Sequence, residues 1–382
     1  MKLAAAGLRV LASTMLLLSQ AQADIKVGVV VSASGPGSSL GQPQMRTIAA
    51  LPAEIAGEKV VCIALDDESD PTKGTQNARR LVIQDGVDVL IGSSLTPVTM
   101  PMIDVAMESK TPIVSLAAAT SIVQPIDDRR RWAFKVVPND DLMAAAILRH
   151  VAASGVKTLG YIGVSDGYGE GYYAEVSRLA PGLGLTVTTH EVYARSDTSA
   201  IGQALKVIAT NPDAVFIASA GTPAVLPQEA LRTRGYAGRI YQTHGVATED
   251  FIKLGGANVE GAVFAGEAFT IADDLASEDP FRRARDEFVA AYEKVNGSRP
   301  NIFAAHLWDA MTLVRQAAPD AMTIAKPGTP EFRIALRDAL ERVRDVYLNN
   351  GVSTMSPQNH NGYDARSAFL IKVEGGKFRL AR

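Results

Sequence analysis

The string Gly163-Val164-Ser165-Asp166-Gly167 sets a serine between two glycines, after a strand-like run and ahead of a helix-forming stretch. A serine on such a strand-to-helix turn is the arrangement of a hydrolase nucleophile. Catalysis would also need an acid and a base from later in the chain, and His190, His244, His306 and His360 are the available imidazoles. No His-Gly-Gly run precedes the serine to form an oxyanion loop, and Gly169-Glu170-Gly171 implies that the helix begins only after it, too late for a nucleophile elbow. The expectation is a protein that is not an enzyme, with a serine esterase acting through Ser165 as the alternative.

Metal and cofactor chemistry has less to stand on. The five histidines are scattered, and none falls at the i, i+4 spacing of a helical zinc pair. Asp66-Asp67-Glu68-Ser69-Asp70 lacks the glycine of a calcium loop, and Gly167-Tyr168-Gly169-Glu170-Gly171 has neither dinucleotide-fingerprint spacing nor a P-loop lysine. Cys62 is the only cysteine, so no internal disulfide is possible; its apolar setting, Val60-Val61-Cys62-Ile63, reads as an inert core thiol. No cofactor and no metal are expected.

Binding chemistry is better supported. Four loops rich in small and hydroxyl residues, at 32–41, 92–97, 115–120 and 165–171, each follow a strand-like run. Small residues there let a ligand approach the backbone N–H groups of helix starts, where partial positive charge suits a carboxylate or phosphate. Glycine and serine also simply make turns. Four such loops in the same position relative to strands shift the reading toward an anion site.

The elements that must position these loops are strand-like runs at 25–31, 60–65, 87–91, 112–115, 158–162, 185–192, 214–218 and 239–243. Helical apolar spacing appears at 75–85, 141–154, 172–179 and 201–210. Strand alternating with helix predicts a parallel sheet, and the short continuous apolar runs predict strands buried on both faces, an α/β doubly wound arrangement. The pattern restarts after 136–140, which predicts two lobes. Beyond 265–269 the chain turns mainly helical (279–296, 304–318, 329–346) before a closing hairpin at 367–380.

With 382 residues, two domains are the natural division. Lys and Arg number 38 against 41 Asp and Glu, with no long single-sign block, so a nucleic-acid partner is not expected. Lys2 and Arg9, the apolar run 10–18 and Ala21-Gln22-Ala23 read as an export signal cleaved after Ala23. No cysteine follows that site, so the expected product is an unanchored periplasmic protein.

These features resemble the periplasmic solute-binding proteins of the branched-chain amino-acid (Leu/Ile/Val) type, which feed ABC importers. The likeness runs through Lys26-Val27-Gly28-Val29 with Ser34-Gly35-Pro36, Asp66-Asp67-Glu68-Ser69-Asp70-Pro71 before Ala78-Arg79-Arg80-Leu81, Gly86-Val87-Asp88-Val89-Leu90-Ile91-Gly92, Thr111-Pro112-Ile113-Val114-Ser115 and Tyr168-Gly169-Glu170-Gly171. It implies a type I clamshell: two α/β lobes, 24–138 with 268–353 and 139–267 with 354–382, joined by crossovers near 137–140, 267–270 and 351–357. It also implies a membrane permease as docking partner for a monomeric binder; a sensor or receptor with the same clamshell is the alternative.

Carried onto this sequence, the family pattern makes Thr96 the hydroxyl that meets a ligand carboxylate. Ala117 and Ala119 offer backbone groups, with the Thr120 hydroxyl nearby. Tyr168 is the aromatic from the second lobe, and Leu40 an apolar wall. Two departures bear on the ligand. Amino-acid binders of this type pair the ligand ammonium with an acidic residue where this chain has His244, and Ala220 and Gly221 stand where an aromatic is common. A buried ammonium without a partner carboxylate costs several kcal/mol. The expected ligand is therefore a small carboxylate lacking the amino group, an aromatic or oxo acid ahead of a branched-chain amino acid, with Phe269 as a further wall. Phe303 and Trp308 could join it, although their helical spacing favours core packing.

Overall fold

The computed structural model describes residues 24–381; the export signal lies outside the described residues. The first lobe is built on β1 (Ile25–Val31), β2 (Glu54–Ile55), β3 (Glu58–Asp66), β4 (Val89–Gly92), β5 (Ile113–Ser115) and β6 (Ala133–Lys135), in the order β2-β3-β1-β4-β5-β6. All pairings are parallel except β2 with β3. Every residue of β1 except Lys26 is buried, and β4 is buried throughout, so helices cover both faces of the sheet. Those helices include α1 (Ser38–Thr47), α2 (Pro71–Arg80) and α3 (Thr96–Ser109). Asp70 starts α2 by accepting the Lys73 N–H at 2.7 Å, with Pro71 pre-set for the first turn.

The chain then enters the second lobe through α4 (Asp140–Ala153) and alternates β7 (Thr158–Val164), α5 (Gly167–Leu179), β8 (Thr186–Tyr193), α6 (Ile201–Ala209), β9 (Ala214–Ala218), α7 (Val225–Thr233), β10 (Arg239–Gln242), α8 (Glu249–Gly255) and β11 (Val263–Gly266). It returns through α9 (Ala268–Ile271) to α10 (Pro280–Asn296), α11 (Ile302–Met322) and α12 (Pro330–Leu340); α11 packs on α1 and α12, which places this helical stretch on the first lobe. A short ribbon, β12 (Val346–Tyr347) with β13 (Val352–Ser353), precedes the hairpin β14 (Phe369–Glu374) and β15 (Lys377–Leu380), which completes the second sheet in the order β15-β14-β11-β10-β9-β7-β8.

Two expectations need correcting. The helix after Ser165 begins at Gly167, because the Asp166 carboxylate accepts the Tyr168 and Gly169 N–H groups and caps it there. Gly169 permits that early start, since a Cβ on it would lie 1.9 Å from the Val164 carbonyl oxygen. The final crossing also comes later than 351–357. Residues 354–363, expected in the second lobe, run along β6: the His360 carbonyl accepts the Lys135 N–H at 3.1 Å, and Tyr363 donates to the Val136 carbonyl at 2.8 Å. An edge strand of three residues presents open backbone groups, and this polar tract covers them.

Glu267 sits at the second crossing, fully buried, and neither carboxylate oxygen has a hydrogen-bond partner. Burial pushes its carboxyl from an ordinary 4.5 up to about 8, with Asp309 adding repulsion. Below the unfolded value the group is neutral in both states. Between 4.5 and about 8 only the unfolded chain ionises, so its contribution to stability is lost as pH rises through that window. Glu267→Gln is expected to remove this component, flattening the stability difference between acid and alkaline pH by a few kcal/mol, at ~1.4 kcal/mol per pKa unit. Urea unfolding at both ends of the window measures it; an unchanged pH slope in the variant would contradict the reading.

Candidate functional site

The strand-end loops of the two lobes face each other across a small cavity. Leu40, Thr96 and Ala117 line it from the first lobe; Tyr168, Ala220 and His244 line it from the second. Thr96 opens α3 and Tyr168 lies in the first turn of α5, so two helix N-termini point at the same space.

Four residues expected at the site stand elsewhere. Ala119 is buried behind the lining, ahead of a 3₁₀ turn at Thr120–Ile122. Thr120 is engaged in the first crossing: its hydroxyl accepts the Asp140 N–H at 3.1 Å and its N–H donates to Asp140 Oδ2 at 3.2 Å. Phe269 packs against Phe288, ring centroids 6.1 Å apart, and its N–H bonds the Asn349 carbonyl at 3.0 Å, among the helices that return to the first lobe. Gly221 lies at the rim, where the two lobes touch. Of the two aromatics expected mainly in the core, Phe303 lines the cavity, whereas Trp308 packs on Phe288 at 5.3 Å.

Among the lining residues that the sequence reading did not place in the binding site, two carry ionisable side chains, Arg195 and His306. Arg195 follows β8, and its Nε donates to Asp166 Oδ2 at 2.6 Å while Nη1 is buried with no partner. The same Asp166 that caps α5 thus also holds the guanidinium beside the Tyr168 ring, 5.9 Å from its centroid. His306 projects from α11 with both ring nitrogens buried beside the Leu116 backbone. The signals were available: an arginine directly after a strand's carboxyl end, and a lone imidazole in the apolar run Ile302-Phe303-Ala304-Ala305-His306-Leu307-Trp308.

The lining holds one permanent cation and no carboxylate. Burial drives His244 down to about 3, reinforced by His306 and Lys135, and burial drives His306 down to about 3 against an opposing hydrogen bond with the Leu116 backbone. Both imidazoles are therefore neutral at neutral pH. His244 Nδ1 meets the Tyr172 hydroxyl at 2.9 Å, which fixes its ring. Tyr168, its phenol raised far above the usual range by burial, presents a neutral hydroxyl beside the Thr243 side chain.

The model of the periplasmic binding protein family matches residues 24–377. The chain belongs to this family. An extracellular ligand-binding receptor from Rhodopseudomonas palustris HaA2 is similar at 64% identity with a TM-score of 0.93, covering 94% of this chain and 100% of that one. The Leu/Ile/Val-binding protein homolog 3 of Brucella melitensis is 23% identical over 96% of both chains. At 21% identity, a solute-binding protein of an ABC transporter from Rhodopseudomonas palustris BisB5, solved in complex with 3,4-dihydroxy benzoic acid, shares the fold with a TM-score of 0.77, over 93% of this chain and 95% of that one. Within the family the chain is of type I, of the Leu/Ile/Val-binding kind. Membership implies an extracytoplasmic location; among the described residues no helix is long and apolar enough to cross a membrane.

This periplasmic binding protein has its lobes in contact at the cleft rim. The Thr222 N–H reaches Ser39 Oγ across the cleft at 3.4 Å, and a Cβ on Gly221 would fall 2.4 Å from Ser39 Oγ and 2.7 Å from Leu40 Cδ1. Gly221→Val should therefore obstruct closure without touching the cavity floor. Steric overlap costs about 1–3 kcal/mol, so ligand affinity should fall roughly 5- to 150-fold in calorimetry. Unchanged affinity would mean that this contact is not part of the ligand-bound state.

Ser165 gains nothing from the early helix start. It is exposed in an outer groove beside Arg195, and no hydrogen bond joins it to a histidine. His190 stacks on Tyr173 at 3.5 Å, and His360 is held between the Ala133 carbonyl and Glu341. Asp166 is committed to Arg195 and the helix cap. Cys62 is half-buried, and burial raises its thiol to about 11, which keeps it protonated and unreactive.

Proposed function

We propose that the protein captures a small aromatic carboxylate between its lobes and hands it, unchanged, to a membrane permease. The observation that carries this reading is the charge of the lining: one partly buried arginine with an unfilled, buried nitrogen, two neutral imidazoles and no acidic side chain. An α-amino acid would bring an ammonium group with nothing to pair it. A carboxylate alone completes Arg195 by a charge-assisted bond, with the Thr96 hydroxyl and the start of α3 available as further donors. Tyr168 and Phe303 supply aromatic walls, and Leu40 and Ala220 complete the apolar lining. The benzoate derivative held by the related Rhodopseudomonas protein is of the same chemical class. Capture favours the closed form because the ligand meets residues of both lobes at once.

A thermal-shift screen of aromatic acids, oxo acids and amino acids tests the proposal, since selective binding raises apparent stability by mass action. Aromatic acids should shift the melting temperature most; a shift confined to leucine, isoleucine or valine would overturn it.

A further inference from the structure

We propose that the captured aromatic acid carries a hydroxyl group on its ring, remote from the carboxylate, and that His306 and His244 read this hydroxyl. The inference rests on the aromatic-carboxylate reading and narrows it to phenolic acids.

Three polar groups on the cavity wall have hydrogen-bonding capacity left for a ligand. Both nitrogens of His306 are buried, with only the Leu116 backbone beside them, and the buried Tyr168 hydroxyl has the Thr243 and Tyr172 side chains near it. His244 shares Nδ1 with the Tyr172 hydroxyl at 2.9 Å, and that hydroxyl also meets Tyr168. Its Nε2 is left to the cavity, as donor or acceptor according to which ring nitrogen carries the proton. His306, a neutral imidazole, offers one donor and one acceptor. Buried polar groups left unmet are costly, so a site keeps them where a ligand completes them.

Arg195 lines the same cavity. It also lines the outer groove with Pro36 and Ser165, which places it toward the mouth. The Tyr168 ring stands next, 5.9 Å from the guanidinium carbon and 6.2 Å from the His244 ring centroid. His306 lies close enough to His244 to affect its charge, and its ring meets Phe303 edge-on at 5.5 Å. A cation and two neutral imidazoles thus line one cavity, with the Tyr168 ring about 6 Å from both the guanidinium and His244, and Phe303 edge-on to His306. A hydroxyl both donates and accepts, so it satisfies the two imidazoles at once. A second carboxylate would bring a charge that neutral imidazoles do not compensate. A bare ring would leave the imidazoles unmet.

Calorimetric titration of the leaderless protein with two matched pairs tests this: 4-hydroxybenzoate against benzoate, and 3-(4-hydroxyphenyl)propanoate against 3-phenylpropanoate. In at least one pair the hydroxylated acid should bind roughly 10- to 100-fold tighter. His306→Phe should reduce that ratio to about threefold or less, whereas His306→Gln, which keeps a donor and an acceptor, should retain part of it and serves if the phenylalanine variant fails to fold. Equal affinity within both pairs would overturn the inference and leave the aromatic-acid reading standing. No binding by any of the four acids would overturn that reading, and the inference with it. A hydroxyl preference that survives intact in His306→Phe would overturn the assignment to His306.

Discussion

Arg195→Ala is expected to weaken binding of the aromatic acid by at least about 30-fold, because removing one partner of a buried, hydrogen-bonded charge pair costs about 2–5 kcal/mol. The guanidinium is the lining's only permanent cation, and its Nη1 is unfilled while Nε is held by Asp166. The ligand carboxylate therefore completes a fork that the protein has half occupied. Arg195→Lys keeps the charge and loses the fork, so it should fall between wild type and alanine. The neutral amide of the same ligand isolates the effect: its affinity should change far less than that of the acid, since it has no charge for Arg195 to meet. Melting temperature without ligand must be followed in parallel, because the variant also strips Asp166 of its ion pair. Acid affinity within about threefold of wild type would remove Arg195 from the site.

His244→Asp is expected to reverse the charge logic of the cavity. A carboxyl at this buried position has the Tyr172 hydroxyl as a donor but no cation of its own, so it competes with the bound acid for Arg195 and for the helix N-termini. Like charges confined together shift one of the two toward its protonated form. Affinity for the aromatic acid should drop on the order of 10- to 100-fold at neutral pH and fall further as pH rises, because binding then requires uptake of a proton. L-Leucine or L-valine should meanwhile gain affinity, since their ammonium group acquires a partner. Calorimetry at two pH values with both ligand classes measures this. Unaltered acid affinity together with continued silence of the amino acids would show that His244 does not decide ligand charge.

The parts of the fold legible from sequence are those where burial is continuous. Residues 25–31 and 214–218 read as strands because short runs buried on both faces leave an unbroken apolar signature, and the structure has β1 and β9 at those bounds. The strand β6 was not legible: three residues carry no period, and its partner tract 354–363 is recognised only by what it touches. The early start of α5 was hidden because glycines dominate its first turn, while the cap that fixes it, Asp166, was read only as part of a loop.

The candidate site divides in the same way. Leu40, Thr96, Ala117, Tyr168, Ala220 and His244 converge on one cavity because each follows the carboxyl end of a strand, a position that topology determines. Thr120 and Phe269 lie in equally plausible loops, yet Thr120 is committed to Asp140 and Phe269 to Phe288, pairings that depend on how the lobes and hinge meet. Arg195 and His306 reach the cavity from outside the four glycine- and serine-rich loops, and their buried nitrogens become visible only once the fold is known.

The account stands on an anion trapped by facing lobes that offer no partner to an ammonium group. Isothermal titration of the leaderless protein with 4-hydroxybenzoate or 3-(4-hydroxyphenyl)propanoate, set beside L-leucine under identical conditions, tests it most directly. It predicts saturable one-to-one binding of at least one acid and no measurable heat of binding with leucine. Tight, stoichiometric binding of leucine while every aromatic acid remains inert would contradict it.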